Sequence, residues 1–222
     1  MAAVNHLLQI YGSTMLKFES KVYSQNGEDG IISYIFDQIG TTNKIAVEFG
    51  IGNGLETNTR LLAEQGWQCY WLDAEPALHT EPTVIFKQTW ITADNIVSEF
   101  EHQEIPKEFD LLSIDIDGND YHVRAALKDY QPRVIIQEYN GCFDPRTEYI
   151  MQRNDSYKWT LWEKDFGASL LSLTKLNDDL GYDLVYCESR GVNAFFVRQD
   201  LNVFDKLTVQ QLWRPLWWAS RV

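Results

Sequence analysis

The chain has 222 residues, 45% hydrophobic and 23% charged, a balance that excludes a disordered or fibrous protein and suits a single α/β domain. Its 32 acidic against 19 basic residues give a formal net charge of −13, with Lys and Arg scattered, which argues against nucleic acid and anionic membranes as partners. Three cysteines, Cys69, Cys142 and Cys187, form no CxxC pair, which excludes a disulfide framework or a zinc knuckle and fits a reducing compartment. The opening MAAVNHLLQIYG lacks the charged-then-apolar order of a secretory signal, and no stretch nears the roughly 20 apolar residues of a membrane span. A cytoplasmic location is therefore expected.

Residues 2–18 predict an amphipathic helix through Leu7, Leu8, Ile10, Leu16 and Phe18. The polar turn Ser24-Gln25-Asn26-Gly27 leads to a second helix, with Ile31, Ile32, Ile35, Phe36 and Ile39 on its apolar face and Gly40 as its stop. Strands and helices then alternate: a strand at 45–49, a helix over 57–65, strands at 68–73 and 83–87, and a short helix over 95–100. Strands at 109–115 and 133–138 flank a helix over about 120–130, and their unbroken apolar runs suit central parallel strands covered on both faces. A polar and aromatic segment, 140–166, interrupts the rhythm before a helix over 169–180. The last two strands, 182–187 and 194–197, are joined by a turn at Arg190-Gly191 too short for a parallel crossover, so they must form an antiparallel hairpin. Trp213, Trp217 and Trp218 fall at helical spacing in the tail, an apolar stripe suited to docking on the core or on a second copy of the chain.

The first strand ends in Glu48-Phe49-Gly50-Ile51-Gly52-Asn53-Gly54, a glycine turn placed where an open α/β sheet binds nucleotides. The dinucleotide pattern G-x-G-x-x-G is not met, and Glu56 near the next helix would repel a pyrophosphate. S-adenosylmethionine carries no phosphate and escapes that objection. Asp73, ending the second strand, is placed to accept both ribose hydroxyls, with Glu75 in reserve. The stretch Trp90-Ile91-Thr92-Ala93-Asp94-Asn95 follows the third strand and is placed to flank the adenine through Thr92 and Asp94, unless Asp94 caps the next helix.

The densest polar cluster, Ser113-Ile114-Asp115-Ile116-Asp117-Gly118-Asn119-Asp120, follows the fourth strand. An EF-hand register fails, since Asp120 stands where glycine is required and Ala126 where the bidentate acid belongs. Asp115, at the strand's end, is instead placed to hold the donor's ammonium or to join Glu138 and Asn140 around Mg²⁺ or Mn²⁺. Asp117 and Asp120 read equally as turn acids, and His122 as a general base or an ordinary helix histidine.

Together SQNGEDGIISYIF (24–36), VEFGIGNGLETNTRLLAEQGW (47–67), LLSIDIDGNDY (111–121), VIIQEYN (134–140), GASL (167–170) and NAFFVR (193–198) resemble the FkbM-type methyltransferases over most of residues 24–198. The resemblance implies a class I methyltransferase fold: a mostly parallel seven-stranded Rossmann-like sheet with one antiparallel strand and helices on both faces. It implies S-adenosylmethionine as methyl donor and a hydroxyl of a sugar or other small molecule as acceptor. It further implies that Glu48, Gly50, Gly52, Asn53 and Gly54 form the donor motif, Asp73 the ribose acid and Asp115 a metal or donor contact, with Gln25 and Glu28 in a polar motif upstream.

One domain is expected over 1–222: N-terminal helices (1–43), a donor-binding half (44–139), an acceptor lid (140–166), then a helix, hairpin and tail (167–222). The expected catalytic set is Asp115 and Glu138, with His122 as candidate base. Two rivals are a non-catalytic nucleoside-binding module of the same fold and an NAD-dependent oxidoreductase, for which no Tyr-x-x-x-Lys pair is evident.

Overall fold

A computed structural model describes residues 14–160 and 163–217. Seven strands, β1 (Ile45–Phe49), β2 (Gln68–Asp73), β3 (Val84–Gln88), β4 (Glu108–Ile114), β5 (Gln131–Glu138), β6 (Tyr182–Cys187) and β7 (Asn193–Arg198), form one sheet in the order β3-β2-β1-β4-β5-β7-β6. β7 is antiparallel to both its neighbours, and the other pairings are parallel. The expected mostly parallel sheet with one antiparallel strand is the one observed. The chain goes from β1 outward to β2 and β3 and then returns to lay β4 on β1's other side, so the carboxyl ends of β1 and β4 border the crevice such a reversal creates.

Alternate residues along the strands face two apolar layers. Val47, Phe49, Leu112, Ile114 and Ile135 pack with α3 (Ile96–His102), α4 (Asp120–Ala126), α5 (Leu170–Asp179) and α6 (Val209–Leu212). Ala46, Leu111, Val134 and Ile136 pack with α1 (Glu28–Ile39) and α2 (Arg60–Glu64) on the other side. Burial on both faces is why these strands read as continuous apolar runs.

Several boundaries differ from expectation, each for a local reason. α2 begins at Arg60 rather than Thr57, because Asn58 and Thr59 turn their amides to the Glu48 carboxylate. α4 ends at Ala126, and the chain turns into β5 two residues earlier than expected; Pro132 disfavours helical backbone just before it. Of the first predicted helix, Thr14–Phe18 is a single 3₁₀ turn, and Leu7, Leu8 and Ile10 lie outside the described residues. Among its described residues the tail is helical only over Val209–Leu212, where Thr208 and Gln211 make a capping box; approaching Pro215 the backbone becomes extended. The tryptophan stripe therefore does not form: Trp213 packs on the core, Trp217 is exposed, and Trp218 lies outside the described residues. No described helix is long and apolar enough to cross a membrane.

Candidate active site

Two turns meet at the centre of the carboxyl edge. Gly50 has a left-handed φ of 72°, and a Cβ placed there would lie 1.4 Å from the Asp115 carbonyl oxygen, so only glycine lets the turn after β1 lie against the turn after β4. The Gly52 N–H donates to Asp73 Oδ2 at 2.8 Å, and the Glu75 N–H to Asp73 Oδ1 at 2.8 Å. These bonds fix the carboxylate at the end of β2 while each oxygen keeps a lone pair for a further donor. Behind the turn Glu48 is buried; its carboxylate accepts the Asn58 N–H at 2.7 Å and the Thr59 N–H at 3.0 Å, and burial pushes its pKa up to about 7. Glu48 thus holds the loop into α2 as well as walling a hollow.

Two hollows open above these turns. One, of about 470 Å³, is bordered by Gly50, Asp73, Glu75, Trp90, Asp115 and Asp117, and covered by Tyr157, Lys158 and Trp159. The other, of about 630 Å³, is bordered by Glu48, Asn53, Thr57 and Asn193. Gln25, Gly50, Gly52 and Asp115 line both, so the two form one trough. Lys158 is the only cation among the described residues lining it.

The turn after β4 is built by carboxylates. Asp120 accepts the Ile116 N–H at 2.9 Å and the Gly118 N–H at 2.8 Å, and Asp117 adopts a left-handed φ of 60°. One carboxylate oxygen each from Asp115, Asp117 and Glu138 lies within 4.8 Å of the others, and the Glu138 carboxyl, set against that of Asp115, meets no N–H or hydroxyl donor at its buried Oε2 among the described residues. Burial, reinforced by the neighbouring acids, raises the pKa values of Asp115 and Glu138 well above the carboxylate range and that of Asp120 to about 6. Carboxylates crowded this closely stay charged together only beside a cation; otherwise they share protons.

From segment 140–166, Tyr157, Lys158 and Trp159 line the trough, and neighbouring residues tie them to the sheet's loops. Trp90 Nε1 donates to the Asp155 carbonyl at 2.7 Å, Arg153 pairs with Asp94 at 2.6 Å, and Asn119 exchanges hydrogen bonds with the Asn154 backbone at 2.7 and 3.1 Å. Trp162, one of the aromatics expected in this segment, lies outside the described residues.

Gln25, Glu48, Gly50, Gly52, Asn53, Asp73 and Asp115 all border the trough, and Gly54 packs behind it against the His79 carbonyl. Thr92 and Asp94 do not: Thr92 makes a local turn with Asn95, Asp94 holds Arg153, and Thr89, Trp90 and Ile91 form the wall instead. Asn140 does not line the trough, and its amide is used on the Lys164 and Phe166 carbonyls and the Cys142 N–H. His122 is turned away from the trough, its Nε2 2.9 Å from the Met151 carbonyl oxygen. Asp117 takes the place expected of Asn140; its position in the densest acidic run was the available signal.

No family profile and no curated protein matches the chain. Among solved structures, a hemolysin candidate from Lactococcus lactis superposes with a TM-score of 0.52 at 11% identity, over 86% of this chain and 96% of that one. MycE methyltransferase of the mycinamycin biosynthetic pathway, in complex with Mg and S-adenosylhomocysteine, gives 0.48 at 14% identity; this chain covers 53% of that one, with 88% of its own length aligned. Magnesium protoporphyrin IX methyltransferase from Synechocystis PCC 6803 gives 0.46 at 9% identity, over 89% and 98%. What the likeness shows is the fold alone: a mostly parallel, seven-stranded Rossmann-like sheet with one antiparallel strand. In that fold the trough at β1 and β4 sits at the reversal of strand order.

Proposed function

We propose that this chain is an S-adenosylmethionine-dependent methyltransferase acting on a hydroxyl of a sugar or related small molecule. The observation that carries the reading is the trough itself. A fixed carboxylate, Asp73, ends β2 beside a glycine turn that brings backbone within reach of a ligand, and both face a cluster of acids. Asp73 accepts the ribose hydroxyls, and Trp90 and Ile91 wall the adenine. Asp73 and Glu75, set against the single lining cation Lys158, disfavour the phosphates of NAD and favour a sulfonium. The methyl moves from the sulfonium sulfur to the acceptor oxygen in line, the sulfur keeping the bonding pair, while the hydroxyl proton passes to a carboxylate of the cluster. Alignment by the trough walls contributes several kcal/mol to such a step, and proton removal about 10²- to 10⁴-fold.

The cluster also fits a divalent cation: its donors are all oxygens, and the buried Glu138 and Asp115 carboxyls are set against each other with no cationic side chain among the described residues of the cluster. Asp115, Asp117 and Glu138 would hold Mg²⁺ or Mn²⁺, which acidifies a bound hydroxyl. Mn²⁺ binding read by electron paramagnetic resonance tests this; Asp117→Asn and Glu138→Gln should each weaken it at least about tenfold. Methyl transfer into a metabolite extract, followed by mass spectrometry with labelled donor, tests the activity. Asp115→Asn should abolish the labelled product while the fold survives, and full product from that variant overturns the assignment.

A further inference from the structure

A buried polar chain runs behind the acid turn, and nothing in the reaction described above uses it. It starts at Asp120, whose carboxylate clamps the Ile116 and Gly118 amides. Gln137 Nε2 on β5 donates to the Asp120 carbonyl oxygen at 3.1 Å, Asn177 Nδ2 on α5 donates to Gln137 Oε1 at 3.2 Å, and Arg124 Nε on α4 donates to Asn177 Oδ1 at 3.0 Å. Asp120 is 2% exposed and the other three are 0% exposed. Arg124 is a buried cation with neutral company: Asn177, the Leu127 carbonyl at 3.4 Å and the face of Tyr182, 5.2 Å away. Its Nη2 has no hydrogen-bond partner among the described residues.

Apolar side chains in such places are often neutral or stabilising by comparison, so stability alone does not account for the chain. What hydrogen bonds add is direction. Apolar packing would leave α4 free to slide along its axis, and α4 begins at the residue that clamps the turn.

We propose that Gln137, Asn177 and Arg124 are positioning residues, which fix the acid turn and so the places of Asp115 and Asp117. Its purpose rests on the reading of this turn as the reacting centre; its test needs neither donor nor acceptor. Amide hydrogen exchange is measured by NMR on the full chain for Gln137→Leu, Asn177→Leu, Arg124→Met and Gln137→Met. The last keeps the side chain's length but loses the donor to Asp120. The Ile116 and Gly118 amides should exchange about tenfold faster in both Gln137 variants, and less so in the other two, over and above any change the β1 amides share from lowered global stability. Unchanged exchange at Ile116 and Gly118 in folded variants overturns the proposal. So does faster exchange spread over the whole sheet in step with lost stability, the mark of a merely structural role. If Gln137→Leu fails to fold, Gln137→Met and Arg124→Met decide. S-adenosylhomocysteine binding by the parent chain is a separate readout: its failure counts against the proposed function and leaves the exchange result standing.

Discussion

The turns after β1 and β4 touch, yet they are made by opposite means. The first is made by missing side chains: Gly50 lies so close to the Asp115 carbonyl that no Cβ fits, and Gly52 offers its amide to Asp73. The second is made by added ones: Asp120 clamps two amides, and Asp115, Asp117 and Glu138 converge at its mouth. The tip of the first turn is made by backbone and does not itself titrate, although Glu48 behind it does, whereas the second, built from carboxylates at its mouth, responds to protons and cations. Under the proposed function the first would grip the donor and the second would carry the chemistry.

The largest effect expected is at Gly50. Gly50→Ala combines a left-handed backbone with a backbone clash and should cost roughly 3 kcal/mol or more in urea unfolding. Gly118→Ala meets only the Tyr157 ring and the Met151 side chain, which can shift, so its cost should be smaller, about 1–2 kcal/mol. Equal costs would erase the distinction between the two turns.

The pH dependence of stability sharpens it next. Glu48 is raised from 4.5 to about 7, Asp120 to about 6 and Glu188 to about 7, so the folded chain holds more protons than the unfolded one in this window. Stability should therefore fall as pH rises from about 4.5 to about 7. Glu48→Gln should remove a part of that slope on the order of 3 kcal/mol, seen in unfolding curves across the range. A slope of the opposite sign would show that these acids are charged in the fold.

The smallest effect belongs to the covering segment. Arg153 joins it to Asp94 at the surface, so Arg153→Ala should leave the melting temperature unchanged and speed release of S-adenosylhomocysteine by about threefold in stopped-flow fluorescence. An unchanged release rate would mean the segment does not close over the ligand.

Legibility in the sequence divides along the same line. The mixed character of the sheet followed from features local in sequence: apolar runs at 111–114 and 134–136, and a link between β6 and β7 too short to cross over. Glycines and the strand-end acids Asp73 and Asp115 were readable because position along one strand places them. What depended on side chains meeting across the sheet was not. Asn140 follows a strand much as Asp115 does, but its amide is drawn into holding residues 164–166. His122 sits one turn past the acids, and helix geometry carries it to Met151 instead. Asp94 was expected near the adenine, and a long-range partner, Arg153, takes it away. The tail stripe at Trp213 and Trp217 had helical spacing, which Pro215 overrides.

Isothermal titration with S-adenosylhomocysteine tests the central claim, that the trough beside Gly50 and Asp73 grips an adenosyl group. One site per chain with micromolar affinity is expected, weakened at least about tenfold in Asp73→Ala. A folded chain that shows no binding at about 1 mM ligand, or an Asp73→Ala variant that binds as well as the parent, would contradict it.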